Sequence, residues 1–258
     1  MINFEKWHGN GNDFVIINSI EESIKLKKSF IKKIADRNMG VGFDQLIHIG
    51  LPTKDNHDFF VRFHNADGSE AGMCLNGIRC ASSYIWKKSL APMREINFRT
   101  KHINIKCLPK GDKQVSALLS KPKDMRNALL EKKLKKIIGN EIFLSSIGNN
   151  HLGIKMQSVD KVDLNMLYKK IEKLIKSLDI NLSIFTKKDK FVQIRTFENG
   201  VGETLSCGSA ALCVASHYIR DKAIKIKSFG GQLRFENHQD GILMSGPTNF
   251  IYKGNIDE

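Results

Sequence analysis

Two stretches of the sequence, residues 68–82 and 201–215, place a cysteine in similar surroundings. Three pairs of residues share one offset of 133 positions (from 74 to 207): Glu70 and Glu203, Cys74 and Cys207, Cys80 and Cys213. In each stretch a loop with Gly and Glu leads to the cysteine, and an apolar run typical of a helix follows over 78–85 or 210–219. Cys74 and Cys207 are therefore predicted at helix starts, where backbone N–H groups and the helix dipole stabilise a thiolate base or nucleophile.

The same helix starts could bind an anion through the backbone N–H groups of Leu75, Asn76, Gly208 and Ser209. If the anion is the carboxylate of an α-amino acid, the two thiols can lie on opposite faces of its α-carbon. One thiol then removes the α-hydrogen and the other returns a proton from behind. This chemistry inverts the stereocentre by general acid–base catalysis and needs no cofactor.

The remaining cysteines, Cys80, Cys107 and Cys213, are predicted as small core residues. A Gly-Asn pair also repeats, as Gly11-Asn12 in the first half and as Gly148-Asn149 in the second. These ordered repeats predict an internal duplication and two related lobes. Apolar runs rich in β-branched residues alternate with helical stretches, which favours an α/β or α+β fold with a lobe boundary within 109–122.

The composition is that of a folded protein: of 258 residues, 41% are hydrophobic, and 41 Lys and Arg face 27 Asp and Glu for a net charge of +14. A basic chain suggests nucleic acid as a partner. However, the lysines of 129–138 and 164–178 lie between apolar positions at helical spacing, which predicts solvated helix faces rather than a specific nucleic-acid groove.

Other classes find little support in the residues. No apolar run approaches the roughly 18 residues that a membrane span needs. The start of the sequence lacks an export signal, and the five cysteines are an odd number, so we expect a cytoplasmic protein. Closely spaced Cys and His ligands, dinucleotide motifs and the C-x-x-C motif of thiol oxidoreductases are missing from the sequence, so neither a metal nor a cofactor is expected.

Six motifs in order give the chain a resemblance to the diaminopimelate epimerase family, pyridoxal-independent two-cysteine enzymes of lysine and peptidoglycan-precursor biosynthesis. They occupy residues 8–14, 40–45, 63–70, 148–151, 200–204 and 207–209. The resemblance implies two pseudo-symmetric lobes, 1–118 with a return of 250–258, and 119–249. Each lobe would be a curved, mostly antiparallel sheet around a central helix, with the active site in the cleft. The implied reaction interconverts LL- and meso-2,6-diaminopimelate.

The resemblance also assigns roles to residues. Cys74 and Cys207 would be the base and acid pair, while His151 and Glu198 would assist the thiols or hold the reacting amine. The implied substrate-binding residues, besides Glu198 and the four at the helix starts, are Asn12, Gln45, Asn65, Asn149, Asn181 and Asn199. Tyr252 matches a dimer-contact tyrosine, so a homodimer with an amino-acid substrate is expected; the alternative for Tyr252 is a buried core residue.

Four positions depart from the family pattern: the family usually has Gly at Leu75, Pro at Asn150, Gly at Ala210 and Arg at Asn199. The family arginine helps to hold the distal carboxylate of diaminopimelate, and an asparagine lacks its cationic fork. Arg195 or a nearby lysine could compensate. A racemase of the same fold that acts on another amino acid is therefore the alternative function.

Overall fold

The computed structural model describes residues 1–21, 24–111, 113–220 and 222–257. The chain forms two compact units: unit 1 comprises residues 1–119 and 245–258, and unit 2 comprises residues 120–244. Residue 258, the end of the predicted return, lies outside the described part. Both units mix strands and helices, which confirms the predicted α+β class.

The described residues of unit 1 form mostly strands, together with two helices. Its elements are β1 (Ile2–Gly9), β2 (Asn12–Asn18), α1 (Lys28–Ala35), β3 (Gln45–Gly50), β4 (Phe59–Asn65), β5 (Glu70–Ala71), α2 (Leu75–Lys87), β6 (Ile96–Arg99), β7 (Asn104–Pro109) and β8 (Gln114–Leu119). Its pairings are antiparallel except for β2 with β3 and β4 with β6.

Unit 2 is also mostly strands, and its described part contains three α-helices. Its elements are β9 (Lys123–Asp124), α3 (Ala128–Ile138), β10 (Ile142–Ser146), β11 (Asn150–Lys155), α4 (Leu164–Ile175), a 3₁₀ turn (Lys176–Leu178), β12 (Ile180–Lys187), β13 (Val192–Glu198), β14 (Gly202–Thr204), α5 (Gly208–Ser216), β15 (Ile224–Ser228), β16 (Gly231–His238) and the start of β17 (Gly241–Pro247), whose last three residues belong to unit 1. The last strand, β18 (Asn249–Ile256), returns to unit 1 and pairs antiparallel with β1.

The strand pairings confirm the duplication. In unit 1, β2 runs parallel to β3, β3 antiparallel to β4, β4 parallel to β6, and β6 antiparallel to β7. In unit 2, β11, β12, β13, β15 and β16 follow the same sequence of pairings. The offset of 133 persists in the register, since His64 pairs with Glu70 and Phe197 with Glu203.

Each unit buries one helix on nearly all its faces. In α2, eleven of the thirteen residues are buried, and Gly77 lies so close to β4 that a Cβ there would stand 2.7 Å from the ring of Phe63. In α5, every residue from Gly208 to Ala215 is buried. A helix that is apolar on all sides belongs inside a fold. These two helices carry the cysteines at their N-termini.

The second of these helices ends earlier than its apolar run predicts. A helix over 210–219 is wrong at its C-terminal end, because α5 stops at Ser216. The N–H groups of His217 and Tyr218 donate to the carbonyls three residues earlier, at Val214 and Ala215. Such bonds tighten the last turn and end an α-helix.

The lysine-rich helices have the predicted orientation. In α3, Leu130 and Leu134 are buried, and the four lysines between and after them are exposed. In α4, Leu164, Ile171 and Ile175 join the unit 2 core. Burying an aliphatic side chain of this size stabilises a fold by roughly 1.5–3 kcal/mol. The lysines therefore follow from amphipathicity.

Candidate active site

Both predicted cysteines lie at the N-cap position of their helix. Cys74 has an extended backbone (φ −137°, ψ 115°), and its sulfur accepts a hydrogen bond from the Gly77 N–H at 3.4 Å. Cys207 has nearly the same backbone (φ −117°, ψ 112°) at the start of α5. Both side chains are half-buried. The location favours the thiolate form of each sulfur.

The other three cysteines occupy a different environment. Cys80, Cys107 and Cys213 are fully buried, and burial raises the pKa of each thiol to about 12. A thiol with such a pKa stays protonated at neutral pH. Only Cys74 and Cys207 among the five therefore combine access with a helix start, and the core prediction for the other three is confirmed.

The backbone for the predicted carboxylate clamp is present in both units. Leu75 and Asn76 are the first two residues of α2, and Gly208 and Ser209 are the first two of α5. The N–H groups at these positions have no acceptor within their own helix. Within the described residues, neither Leu75 nor Ala210 has a positive φ. The two departures from glycine therefore leave the helix starts unstrained.

Three amide side chains of unit 1 lie near Cys74 or at the adjoining strand ends. The Cys74 sulfur donates to Asn12 Oδ1 at 3.5 Å. Gln45, the first residue of β3, pairs with Asn65, the last of β4, and its Nε2 donates to Asn65 Oδ1 at 2.9 Å. The Oε1 atom of Gln45 is buried and has no partner in the described part of the chain. Such an atom can accept a hydrogen bond from a bound ammonium group.

A network of four charged side chains lies behind Asn12. The Asp13 carboxylate forms an ion pair with Lys6 Nζ at 2.6 Å and accepts hydrogen bonds from both terminal nitrogens of Arg37 at 2.8 and 3.0 Å. Burial tends to raise the pKa of Asp13, but the hydrogen bonds and charges of Arg37 and Lys6 outweigh it and lower that pKa to about 2. Arg37 also donates to Asp44 at 2.8 Å. The network balances two positive and two negative charges.

In unit 2, Asn149 and Ser209 lie beside Cys207. Asn149 Nδ2 donates to Ser209 Oγ at 3.1 Å, and this oxygen lies 3.4 Å from the Cys207 sulfur. The Oδ1 atom of Asn149 is buried, and within the described residues no hydrogen bond reaches it. Because Ser209 Oγ already accepts from Asn149, its own hydrogen can point towards the sulfur.

His151, near the start of β11, and Glu198, at the end of β13, lie on the two strands that flank β12. His151 pairs with Asn181 across the parallel strands β11 and β12. The His151 side chain is 1% exposed, and neither ring nitrogen has a hydrogen-bond partner among the described residues. Burial lowers its pKa to about 4, so its imidazole is neutral at physiological pH. Glu198 ends β13 and accepts a hydrogen bond from the Thr204 hydroxyl at 2.7 Å.

Asn199, the position at which the resemblance implies an arginine, has three hydrogen bonds to other residues of unit 2. Its backbone N–H donates to Asn181 Oδ1 at 2.9 Å, its Nδ2 to Asp179 at 2.7 Å, and its Oδ1 accepts from Tyr168 at 2.8 Å. The suggested substitute, Arg195, is already engaged. It binds both carboxylate oxygens of Glu203 at 2.7 and 2.9 Å and the carbonyls of Val159 and Val162. The prediction that Arg195 could compensate for the missing arginine is therefore wrong, because four of its five N–H donors are already used.

Tyr252 lies on β18 opposite Lys6, with the edge of its ring against Phe4. Its side chain is 42% exposed, so the core alternative does not hold.

Among the described residues, no group of three or more His, Cys, Asp and Glu is arranged to hold a metal ion. In the same part of the chain, no helix combines the length and apolar character of a membrane span.

Comparison with known proteins decides the family. A sequence model described as diaminopimelate epimerase matches residues 4–122 and 143–251. The chain belongs to this family. A diaminopimelate epimerase of Acinetobacter baumannii (strain AYE) is 31% identical over 100% of this chain and 98% of its own length. One from Ectopseudomonas mendocina is 30% identical and covers 99% of each chain. The protein is accordingly an isomerase.

Solved structures share the fold at much lower identity. A phenazine biosynthesis protein of the PhzF family from Bacillus anthracis superposes with a TM-score of 0.73, is 14% identical and covers 100% of this chain and 99% of that one. A probable proline racemase from Agrobacterium radiobacter K84 gives 0.70 at 10% identity, with 100% and 93% covered. A predicted epimerase from Pseudomonas aeruginosa also gives 0.70, at 12% identity and 99% coverage of both chains.

Some residues around these groups were missed from the sequence. The four-charge network had one signal, because Asp44 directly precedes Gln45 within the motif at 40–45. Tyr168 and Asp179 lie 31 and 20 residues from Asn199 and show no shared pattern with it. Arg79, fully buried in α2, donates to Leu75 O at 3.1 Å and Asn76 Oδ1 at 3.0 Å. These hydrogen bonds hold in place the two residues that directly follow Cys74.

Proposed function

We propose that the protein interconverts LL- and meso-2,6-diaminopimelate by proton transfer at the α-carbon, with Cys74 and Cys207 as the two bases. The observation that carries the proposal is the matched pair of half-buried N-cap cysteines in a chain of the diaminopimelate epimerase family. One sulfur removes the α-proton as a thiolate. The other, as a thiol, delivers a proton to the opposite face, so the configuration inverts and the protonation states of the sulfurs exchange.

The chain's own groups can supply the binding that this reaction needs. The N–H groups of Leu75, Asn76, Gly208 and Ser209 are suited to the α-carboxylate, whose negative charge grows when the α-carbon loses its proton. Glu198 offers a carboxylate and Gln45 an unsatisfied buried oxygen for the α-ammonium group. The neutral imidazole of His151 can accept or donate a hydrogen bond to a bound group without adding charge.

Hydrogen exchange in D₂O tests this function. Each of a panel of amino acids, with LL- and meso-diaminopimelate among them, is incubated with the protein and followed by NMR and chiral chromatography. The proposal predicts α-deuterium and inversion with diaminopimelate. α-Deuterium only in another amino acid, or inversion that requires an added cofactor, contradicts it. Lysine or peptidoglycan-precursor biosynthesis follows as the proposed role.

The hydrogen bonds of Asn199 favour a second candidate, a racemase of a different amino acid. Asn199 is neutral and adjoins the Asp179 carboxylate, and the nearby Arg195 is engaged with Glu203. The loss of a charge-assisted contact to a distal carboxylate corresponds to about 1.5–3 kcal/mol, or one to two orders of magnitude in preference. The same panel decides between the candidates, because this enzyme would exchange an amino acid without a second carboxylate faster than diaminopimelate.

We also propose a cytoplasmic homodimer that uses the face around Tyr252. Phe250, Ile251 and Tyr252 follow one another on β18 and are 40%, 48% and 42% exposed. Contiguous exposed apolar side chains are typical of an interface. Light scattering should give twice the chain mass of 29.2 kDa, and Ile251→Lys should shift it towards the monomer. A monomeric parent protein contradicts the proposal, as does recovery of the native protein outside the cytoplasm.

A further inference from the structure

The orientation of the Asn12 amide is set by Asp44. Asn12 Nδ2 donates to Asp44 Oδ2 at 2.8 Å, and the backbone N–H of Asp13 donates to the same oxygen at 3.1 Å. If the amide were turned over, Asn12 Oδ1 would face Asp44 Oδ2, and two acceptors would meet at hydrogen-bond distance. Only one orientation is therefore compatible with an ionised Asp44.

This orientation decides what Asn12 offers to Cys74. With Nδ2 directed at Asp44, the carbonyl oxygen Oδ1 faces the sulfur at 3.5 Å. A carbonyl oxygen accepts a hydrogen bond from a thiol and offers none to a thiolate. The contact thus holds the protonated form of Cys74 in one place. The N–H of Gly77 and the buried charge of Arg79 act in the opposite sense, towards the thiolate.

Asp44 is itself held from behind. Its Oδ1 accepts from Arg37 at 2.8 Å, and its backbone N–H donates to Asp13 Oδ1 at 2.9 Å. Asp13 in turn is fixed by Arg37 and by Lys6, whose side chain is only 7% exposed. A carboxylate with several charge-assisted bonds keeps its place far better than a solvated one. The network therefore extends from a buried lysine to a candidate catalytic sulfur.

We propose that Asp44 is a positioning residue for Cys74, which it orients through the side-chain amide of Asn12. Arg37 supports Asp44 but does not set the amide. The inference rests on the proposed role of Cys74. Asp44, which orients Asn12, directly precedes Gln45, the first residue of β3 and a candidate substrate ligand. One short segment thus serves the substrate and the sulfur.

The test measures how fast iodoacetamide modifies Cys74 relative to Cys207 at neutral pH. The folded full-length protein is alkylated and then digested, and mass spectrometry of the peptides gives the extent of modification at each cysteine. Cys207 serves as the internal reference. In Asp44→Ala the amide of Asn12 can turn and donate Nδ2 to the sulfur, which favours the thiolate. The ratio of Cys74 to Cys207 modification should rise about threefold to tenfold, the factor that one modest hydrogen bond represents. The readout needs no substrate, so it is independent of the epimerase assignment.

Three further variants separate positioning from general support of the loop. Asp44→Asn keeps the shape of the side chain but can donate to or accept from Asn12, so its ratio should rise less than in Asp44→Ala. Arg37→Met removes one support of Asp44 but leaves the bonds of Asp44 to Asn12 and Asp13, so its ratio should rise less than in Asp44→Ala. Asp36→Ala is the matched control, because Asp36 caps the N–H groups of Asn38 and Met39 in the same segment without contacting Asn12.

Circular dichroism confirms the fold of each variant before alkylation. A parent-like ratio in folded Asp44→Asn and Asp44→Ala overturns the proposal. So does a rise of the same size in Arg37→Met and Asp36→Ala, because the effect would then belong to the loop as a whole. Asp44→Asn is isosteric, so it keeps the test decisive if Asp44→Ala does not fold.

Discussion

Unit 1 and unit 2 place different side chains on equivalent strand ends. In unit 1, Phe14 pairs with Gln45 and Gln45 with Asn65. In unit 2 the corresponding positions hold His151, Asn181 and, one residue beyond the last recorded pair of β12 and β13, Glu198. The unit 1 set has an aromatic ring and two neutral amides, and the unit 2 set contains an imidazole and a carboxylate. The duplicated scaffold has kept its strands and cysteines, while at these three strand-end positions only unit 2 has side chains that can titrate.

The two sulfurs also have different neighbours. Cys74 faces an amide oxygen fixed by a charged network, whereas Cys207 lies beside the Ser209 hydroxyl, which can donate to a thiolate. The first turn of each helix is followed by a different residue at the equivalent position. Unit 1 has the buried Arg79, and unit 2 has Leu212, 133 positions later. A two-base reaction needs one thiol and one thiolate at a time. Unequal surroundings allow the two sulfurs to hold different protonation states.

The largest effect is predicted for the removal of either the Cys74 or the Cys207 thiol. Cys74→Ala and Cys207→Ala should each lower turnover about 10²- to 10⁴-fold, the range that a positioned acid or base contributes. Because both side chains are half-buried rather than core residues, the melting temperature should stay close to that of the parent. Chiral chromatography and thermal melts check both points. Parent-like turnover in either variant would mean that the pair does not act together.

The second largest effect is expected for removal of the Glu198 carboxylate, which distinguishes the unit 2 strand ends from those of unit 1. Glu198→Gln retains an oxygen that can accept from Thr204 but removes the charge, and it should lower kcat/KM about 10- to 100-fold. Adding Asn65→Asp, which moves a carboxylate to the equivalent place in unit 1, should not restore activity. Steady-state kinetics of the single and double variants measure this. Recovery in the double variant would show that the two positions are interchangeable.

His151→Phe places the unit 1 residue at the unit 2 position and should change stability with pH. The His151 pKa is near 4 in the folded protein, against an ordinary value of 6.5. The unfolded chain takes up the proton first, so stability is complete above about pH 6.5 and falls as the pH drops towards 4. Between about pH 7 and pH 5 the parent should lose about 2 kcal/mol more than the variant.

Urea titrations at the two pH values measure this difference in the free energy of unfolding. His48 in unit 1, whose pKa burial also lowers to about 4, is present in both proteins and cancels. Any packing penalty of the phenylalanine is equal at both pH values and cancels too. Equal acid sensitivity of parent and variant would show that His151 is not buried as a neutral group.

The smallest effect is expected at the equivalent buried pair, Cys80 and Cys213. Substitution of either by alanine should lower stability by about 1 kcal/mol, because a small core group is lost. Turnover should remain as in the parent, since their raised pKa values keep both thiols protonated. Thermal melts and activity assays compare the two variants. A large loss of turnover in one of them would place it in the site.

The sequence predicts local features well. Helix starts at Cys74 and Cys207, the amphipathic α3 and α4, and the repeat all follow from the spacing of residues within about twenty positions or from one constant offset. Apolar runs rich in β-branched residues also mark strands, as the run over 103–107 does for β7 (Asn104–Pro109). The helix end at Ser216 was missed, because the bonds that end α5 leave no sign in its apolar run.

Contacts between distant residues could not be predicted. Lys6, Asp13, Arg37 and Asp44 converge only because β1, β2 and the loop before β3 lie together. The ion pair of Arg195 with Glu203 depends on the pairing of β13 with β14, which the spacing of the two residues does not reveal. Residue roles that the family resemblance assigns, such as those of His151 and Asn181, remain predictions of the resemblance.

The most direct test of the two-base account follows deuterium in D₂O at the earliest measurable conversion of LL-diaminopimelate. Both thiols exchange their hydrogen with solvent, so the account predicts that each newly formed meso molecule carries deuterium at the inverted carbon while unreacted substrate remains protonated there. Product that retains the original hydrogen would contradict it, because a single group would then have removed and returned the same proton.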